Sequence, residues 1–118
     1  FNRLEFIKST YLVTGDQYNV GNEKEVIIFR ILQEFFSNTI KHSKASNLNV
    51  HVEYKKDRLE ISAKDDGVGF SSDADFSGIG MKNMKNRAKV IGADLKITSE
   101  KNKGTTLKLI YKYKANVI

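Results

Sequence analysis

The sequence predicts an α+β fold, a two-layer sandwich in which a mixed, mostly antiparallel sheet carries helices on one face. Three observations lead there. Val26, Ile28, Ile31, Leu32, Phe35, Phe36 and Ile40 recur at helical spacing. Leu48, Val50, Val52 and Tyr54 alternate with polar residues, as do Leu59, Ile61 and Ala63 after the polar 55–58 stretch, which is the pattern of a hairpin. A second alternating pair, Leu95 with Ile97 and Leu107 with Leu109 and Tyr111, closes the chain.

In chain order, the β-branched and aromatic residues from Thr10 to Val20 around Gly15-Asp16 read as one or two short strands. The first helix is placed at about Glu23 to Ser43, with Asn22 as its N-cap and Glu23 and Glu25 favouring its first turn. After the first hairpin, Asp65 to Gly80 is rich in Gly, Ser and Asp and lacks periodicity. A loop of that length in a small domain is a place to look for function. Met81, Met84, Ala88 and Ile91 then mark a second helix that stops at Gly92, a suitable C′ residue. A turn at Lys101 to Gly104 joins the last two strands. Phe29, Phe35, Phe36, Met81 and Met84 are read as core, and Tyr54, Tyr111 and Tyr113 as sheet packing. His51 is read as a surface or edge residue.

A chain of 118 residues and 13.4 kDa is read as one domain spanning 1–118. With no Cys, thiolate nucleophiles, disulfides and Cys-based metal sites are excluded. The longest apolar run, Val26 to Phe29, is far short of the roughly 20 residues that span a bilayer, so the piece is expected to be soluble and cytoplasmic. The 20 Lys and Arg against 14 Asp and Glu leave a charge of +6, but the cations are scattered rather than clustered. A nucleic-acid partner is not expected. The chain begins with Phe1, so the sequence is read as a fragment whose neighbours carry part of the function.

Three stretches could carry chemistry. At about 100° per residue, Glu34, Asn38, Lys41 and His42 share one stripe of the first helix beside its apolar face. The stripe is either a solvated face with i,i+4 hydrogen bonds or a convergent polar site. Asp65-Asp66-Gly67-Val68-Gly69-Phe70 places an acid at a strand end before two glycines, which is either a Gly-rich turn or a close backbone approach to a planar ligand. The further acids of a calcium loop are missing. Gly78-Ile79-Gly80 puts small residues before a helix, where free N–H groups can meet phosphate oxygens. It is neither a Walker loop nor a dinucleotide fingerprint.

Taken in order, Glu34-Phe35-Phe36-Ser37-Asn38-Thr39-Ile40-Lys41-His42, then Asp65 to Phe70, then Gly78-Ile79-Gly80-Met81, then Gly104-Thr105-Thr106 resemble four motifs of one family. They are the N, G1, G2 and terminal Gly-Thr motifs of the ATP-binding catalytic domain of bacterial sensor histidine kinases, in the superfamily shared with gyrase, Hsp90 and MutL. The resemblance runs from about Glu25 to Tyr113. The Asn38-to-His42 ending and the Met81, Met84, Arg87, Ala88 run look most like the nitrate-sensor and degradation-sensor subgroup.

The resemblance implies a Bergerat-type ATP-binding fold and the following roles. Asp65 would accept a hydrogen bond from the adenine amino group, Thr105 would support it through water, and Gly67 and Gly69 would let the backbone pass the base. Asn38 would ligate Mg²⁺, a hard cation suited to an amide oxygen. Lys41 and His42 would meet phosphate oxygens, with Lys82 or Arg87 as a further cation, and Gly78 and Gly80 would cradle the phosphates. Ser71 to Ser77 would form a mobile lid. Glu34 would orient or deprotonate the attacking group, a role that in this subgroup can instead fall to an acid beside the acceptor His.

That acceptor is not expected in this chain, because His42 precedes Ser43 and His51 precedes Val52, with no acid following either. The implied function is ATP binding and donation of the γ-phosphoryl group to a His on a dimerisation domain of the same full-length protein, with a response regulator downstream. A membrane anchor, where the full protein has one, would lie upstream. Two other functions fit the same residues: a non-catalytic ATP-binding regulatory module, and a Ser/Thr kinase of the anti-sigma-factor type.

Overall fold

Seven elements follow one another along the chain in the computed structural model, which describes residues 8–38, 47–67, 79–100 and 103–113. They are β1 (Lys8–Gly15), α1 (Asn22–Asn38), β2 (Asn47–Tyr54), β3 (Arg58–Asp65), α2 (Ile79–Val90), β4 (Asp94–Glu100) and β5 (Gly104–Lys112). The sheet order is β1-β2-β3-β5-β4, with β1 parallel to β2 and every other neighbour antiparallel. This is the expected α+β arrangement. The parallel pair needs a crossover, and α1 supplies it.

The Thr10 to Val20 region forms one strand, ending at Gly15. The start of α1 differs from expectation in its cap. Glu25 N–H donates to the carbonyl of Gly21 at 3.0 Å, which makes Gly21 the N-cap and Asn22 the first helical residue. The capping side chain is displaced upstream, where Asn19 Oδ1 accepts from Gly21 N–H at 2.9 Å. At the other end of α1, residues 39–43 of the expected helix lie outside the described residues.

Helix α2 closes as its sequence suggests. Ala93 N–H reaches the Ala88 carbonyl at 2.9 Å and Gly92 N–H reaches Lys89 at 3.1 Å, a Schellman pair with Gly92 at C′ and φ +72°. Arg87 and Lys89 in the last turn oppose the negative end of the dipole. The helix begins at Ile79, so Gly80 sits inside the first turn rather than ahead of it.

The core lies between the sheet and the two helices. Leu48, Val50 and Val52 of β2, Leu59, Ile61 and Ala63 of β3, and Leu107, Leu109 and Tyr111 of β5 meet Ile31 and Phe35 of α1 and Met81, Met84 and Ala88 of α2. Each fully buried aliphatic side chain removes enough apolar area from water to contribute about 2 kcal/mol.

Two expected core residues are not in it: Phe29 is 59% exposed and Val26 51%. At about 100° per residue they lie some 100° and 160° around α1 from Ile28, off the stripe that Ile28, Ile31, Leu32 and Phe35 define. Phe36, at the margin of that stripe, is half-buried.

The tyrosines pack at the end of the sheet where β5 finishes. The rings of Tyr18 and Tyr113 stack at 3.9 Å, Tyr111 meets Tyr113 edge-on, and Lys24 Nζ stands 5.6 Å from the Tyr111 ring centre. Burial raises the phenol pKa of both Tyr54 and Tyr113.

On the helix-free face, Glu60 accepts from Lys55 Nζ at 2.8 Å and Arg58 Nε at 2.7 Å, with Lys108 Nζ 4.0 Å away. Lys55 and Arg58 hold its carboxyl down to about 2. His51, on the same face, pairs with Thr14 at 2.9 Å, a structural role as expected.

Candidate functional site

The topology brings distant motifs to one end of the molecule. Because β1 and β2 are parallel, α1 runs back across the sheet and finishes near the start of β2, so Glu34 and Asn38 approach the end where β3 stops. The register there pairs Leu48 with Asp65, Asp65 with Thr105 and Ser99 with Thr105. Helix α2 starts from that same end and runs away to the start of β4.

Asp65 is the last residue of β3, and alternation from Leu59, Ile61 and Ala63 turns it inward. It is 2% exposed. With Thr105, it is one of two buried polar residues among those described. A carboxylate taken out of water needs hydrogen-bond donors, and the backbone provides them. Asp65 Oδ1 accepts from Gly67 N–H at 2.9 Å and from Thr105 N–H at 3.1 Å. The glycine of the D-x-G motif and the threonine of the Gly-Thr motif thus hold one oxygen.

The neighbours of this group fix its position. Gly104 has φ +90°, and a Cβ there would overlap the carbonyl oxygen of Asp65, so only glycine lets β5 pass so close to the end of β3. Asp66 ties the same corner to β2. Its carboxylate accepts from Asn47 N–H at 2.8 Å and from Asn47 Nδ2 at 2.7 Å, while its own N–H donates to the Asn47 carbonyl at 3.2 Å.

The sequence motifs assign no role to three residues of this corner, Asn47, Asp66 and Ser99. Ser99 Oγ lies 2.9 Å from Thr105 Oγ1 and 3.3 Å from the Gly104 carbonyl. Its signal was the alternation of β4, where Leu95, Ile97 and Ser99 face the core and only the last is polar.

The remaining expected site residues divide into two groups. Glu34 is half-buried on α1, and Asn38 is the last residue of that helix, one turn further on. Gly80 is in the first turn of α2. Lys41, His42, Gly69 and Gly78, together with the expected lid at 71–77, lie outside the described residues. Lys82 is exposed and Arg87 half-buried on α2.

A cavity of about 570 Å³ lies at the opposite end, between β1–β2 and the first half of α1, lined by Tyr11, Tyr18, Glu25, Phe29, Val52 and Tyr54 among others. It contains none of the motif residues. The buried carboxylate, rather than this space, marks the candidate site.

Residues 23–115 match the family model described as histidine kinase-, DNA gyrase B-, and HSP90-like ATPase. The chain is 37% identical over 103 residues to the signal transduction histidine-protein kinase/phosphatase DegS of Brevibacillus brevis, covering 86% of this chain and 26% of that protein. It is 39% identical over 83 residues to the sensor histidine kinase LiaS of Bacillus subtilis, covering 70% and 23%. The chain thus spans about a quarter of the length of these relatives.

Among solved structures, the blue-light activated histidine kinase of Erythrobacter litoralis EL346 has the same fold, with TM-score 0.80 at 22% identity over 94% of this chain and 36% of that one. Full-length ShkA in complex with AMPPNP aligns with TM-score 0.72 at 18% identity, covering 94% and 27%. No helix among the described residues is long and apolar enough to cross a membrane. The four motifs, the fold that gathers Asp65, Gly67 and Thr105, and the match over residues 23–115 place this chain in the histidine kinase-, DNA gyrase B-, and HSP90-like ATPase family, as the ATP-binding domain type of sensor histidine kinases.

Proposed function

We propose that this chain binds Mg·ATP and donates the γ-phosphoryl group to a histidine on a dimerisation domain of a longer protein. The observation that carries the reading is the buried Asp65 carboxylate held by the N–H groups of Gly67 and Thr105. A fixed carboxylate is the acceptor that an exocyclic purine amino group needs. Its rigidity also lets it discriminate between bases by hydrogen bonding. A protein of the same fold, ShkA, has been solved with AMPPNP, a ligand of the class proposed here.

The other roles follow from the resemblance. Thr105, whose hydroxyl faces Ser99, would support the base through water, and Gly67 and Gly69 would admit the backbone beside it. Asn38 would hold Mg²⁺, which neutralises charge on the phosphates and orients them. Lys41 and His42 would contact phosphate oxygens, and Gly78 and Gly80 would present N–H groups at the start of α2. Glu34 would orient the imidazole of the acceptor His or take its proton. The imidazole nitrogen then forms a bond to the γ-phosphorus as the bond to the β–γ bridging oxygen breaks and ADP leaves. Phosphoryl transfer asks chiefly for positioning and charge neutralisation, which this set supplies.

The test supplies this chain with γ-labelled ATP and a separate histidine-bearing dimerisation domain. Transfer of label to that domain in an acid-labile, base-stable form is expected. Intact ATP binding without transfer would favour a regulatory module, and an acid-stable product on serine would favour the anti-sigma-factor type.

A further inference from the structure

Asp65, Thr105 and Ser99 stand in one row across the end of the sheet where β3 stops. Asp65 registers with Thr105, and Thr105 registers with Ser99 on its other side. Ser99 is separated from Asp65 by β5, yet its hydroxyl decides what Thr105 can offer a ligand.

The directions of the hydrogen bonds follow from the protons present. Ser99 Oγ donates to the Gly104 carbonyl at 3.3 Å, and that direction is fixed because a carbonyl only accepts. The hydroxyls of Ser99 and Thr105 lie 2.9 Å apart. With the Ser99 proton turned to Gly104, this second bond takes its proton from Thr105. In the reverse direction the Gly104 carbonyl and Ser99 Oγ would face each other with lone pairs only. Running from Thr105 to Ser99 to Gly104, both protons find acceptors and each bond polarises the next. The Thr105 hydroxyl has no other hydrogen-bond partner among the described residues. Toward anything else, its Oγ1 therefore presents lone pairs and no proton. The Asp65 carboxylate beside it is likewise an acceptor, so the side chains of this corner read donors.

We infer that Ser99 is a positioning residue for base selection: by taking the Thr105 proton it holds Thr105 Oγ1 as an acceptor, which favours an aminopurine nucleotide over an oxopurine one. The inference rests on Asp65 being the group that reads the base. An aminopurine such as adenine brings N–H donors to Asp65, and the ring nitrogen beside its amino group is a bare acceptor. A water that gives one proton to Thr105 Oγ1 has its other proton left for that nitrogen. An oxopurine such as hypoxanthine reverses both groups. Its oxygen faces the Asp65 carboxylate, and its ring N–H meets the proton of the water. Without the Ser99 hydroxyl, Thr105 can turn its proton to the water, which then presents a lone pair to a ring N–H. The corner loses part of its preference.

Calorimetric titration of the 118-residue chain with ATP and with inosine triphosphate, both with Mg²⁺, tests the inference. The two nucleotides differ at the groups concerned and nowhere else. Wild type is expected to prefer ATP. Ser99→Ala is expected to lower the ratio of the two affinities about fivefold, the discrimination that one neutral hydrogen bond carries. Ser99→Thr keeps the hydroxyl and is expected to restore the ratio. A merely structural loss weakens both nucleotides alike and leaves the ratio unmoved. In a Thr105→Val background, Ser99→Ala is expected to change the ratio no further, because no hydroxyl is left to orient. The inference is overturned, with the ATP preference of wild type standing, by an unchanged ratio in Ser99→Ala, by an equal change with and without the Thr105 hydroxyl, or by failure of Ser99→Thr to restore it. A wild-type chain that binds neither nucleotide removes the function proposed for Asp65, and this inference with it.

Discussion

The backbone N–H of Thr105 donates to Oδ1 of Asp65 across 3.1 Å, joining residues forty positions apart. The same oxygen accepts from Gly67 at 2.9 Å. One buried carboxylate thereby holds together the end of β3, the loop that follows it and the start of β5. Stability and ligand binding are coupled at this point, because any change that moves Asp65 moves the group proposed to read the base.

Asp65→Asn retains the shape and an acceptor oxygen but removes the charge that strengthens both hydrogen bonds. Stability is expected to fall by about 1–2 kcal/mol in denaturant unfolding. ATP affinity, measured by calorimetry, is expected to drop at least about tenfold. Unchanged affinity would remove Asp65 from the nucleotide site.

Gly104→Ala introduces a Cβ that overlaps the Asp65 carbonyl and puts a side chain at φ +90°. A loss of about 2 kcal/mol or more is expected, with weakened ATP binding because β5 must draw away from β3. A variant with wild-type melting temperature would contradict the close approach described.

Ser99→Ala deletes the hydroxyl facing Thr105 Oγ1 and the Gly104 carbonyl. A loss of about 1 kcal/mol is expected by denaturant titration, and Ser99→Thr, which restores the oxygen, should recover part of it. Equal stability of Ser99→Ala and wild type would show that the hydroxyl contributes nothing.

Asn38→Ala should reduce ATP affinity in the presence of Mg²⁺ by about tenfold or more while changing affinity in chelator far less. Equal losses in the two conditions would argue for a structural role at the end of α1 in place of a metal contact.

Glu60 gives a pH dependence away from the site. Lys55 and Arg58 lower its pKa from 4.5 to about 2, so its contribution is complete above about pH 4.5 and is lost as pH falls through 2. Glu60→Gln is expected to be less stable at neutral pH by about 1 kcal/mol, a small value because its partners are partly solvated. The gap in denaturant midpoints should close between pH 4.5 and 2, and a gap independent of pH would refute the assignment.

Local pattern was enough to anticipate α1, α2, both hairpins and the Gly92 stop, because hydrophobic period, caps and turn residues act within a few positions of themselves. The order of the four motifs likewise belongs to the chain alone. Other features were settled by contacts distant in sequence. Antiparallel pairing of β3 with β5 set Thr105 against Asp65, and parallel pairing of β1 with β2 carried Asn38 toward the same end. Ser99 meets Thr105 across the β4–β5 hairpin and Asp66 meets Asn47 across the β2–β3 hairpin, contacts set by the register of each pair and not by its existence alone. Phe29 and Val26 belong to the apolar run of α1 but lie outside the stripe of Ile28, Ile31, Leu32 and Phe35 that meets the sheet, so they stay exposed. Periodicity states which residues of an element share a side. Which surface meets that side, and which strand lies next to which, depends on closing long loops, and that free energy is decided by the whole packed arrangement.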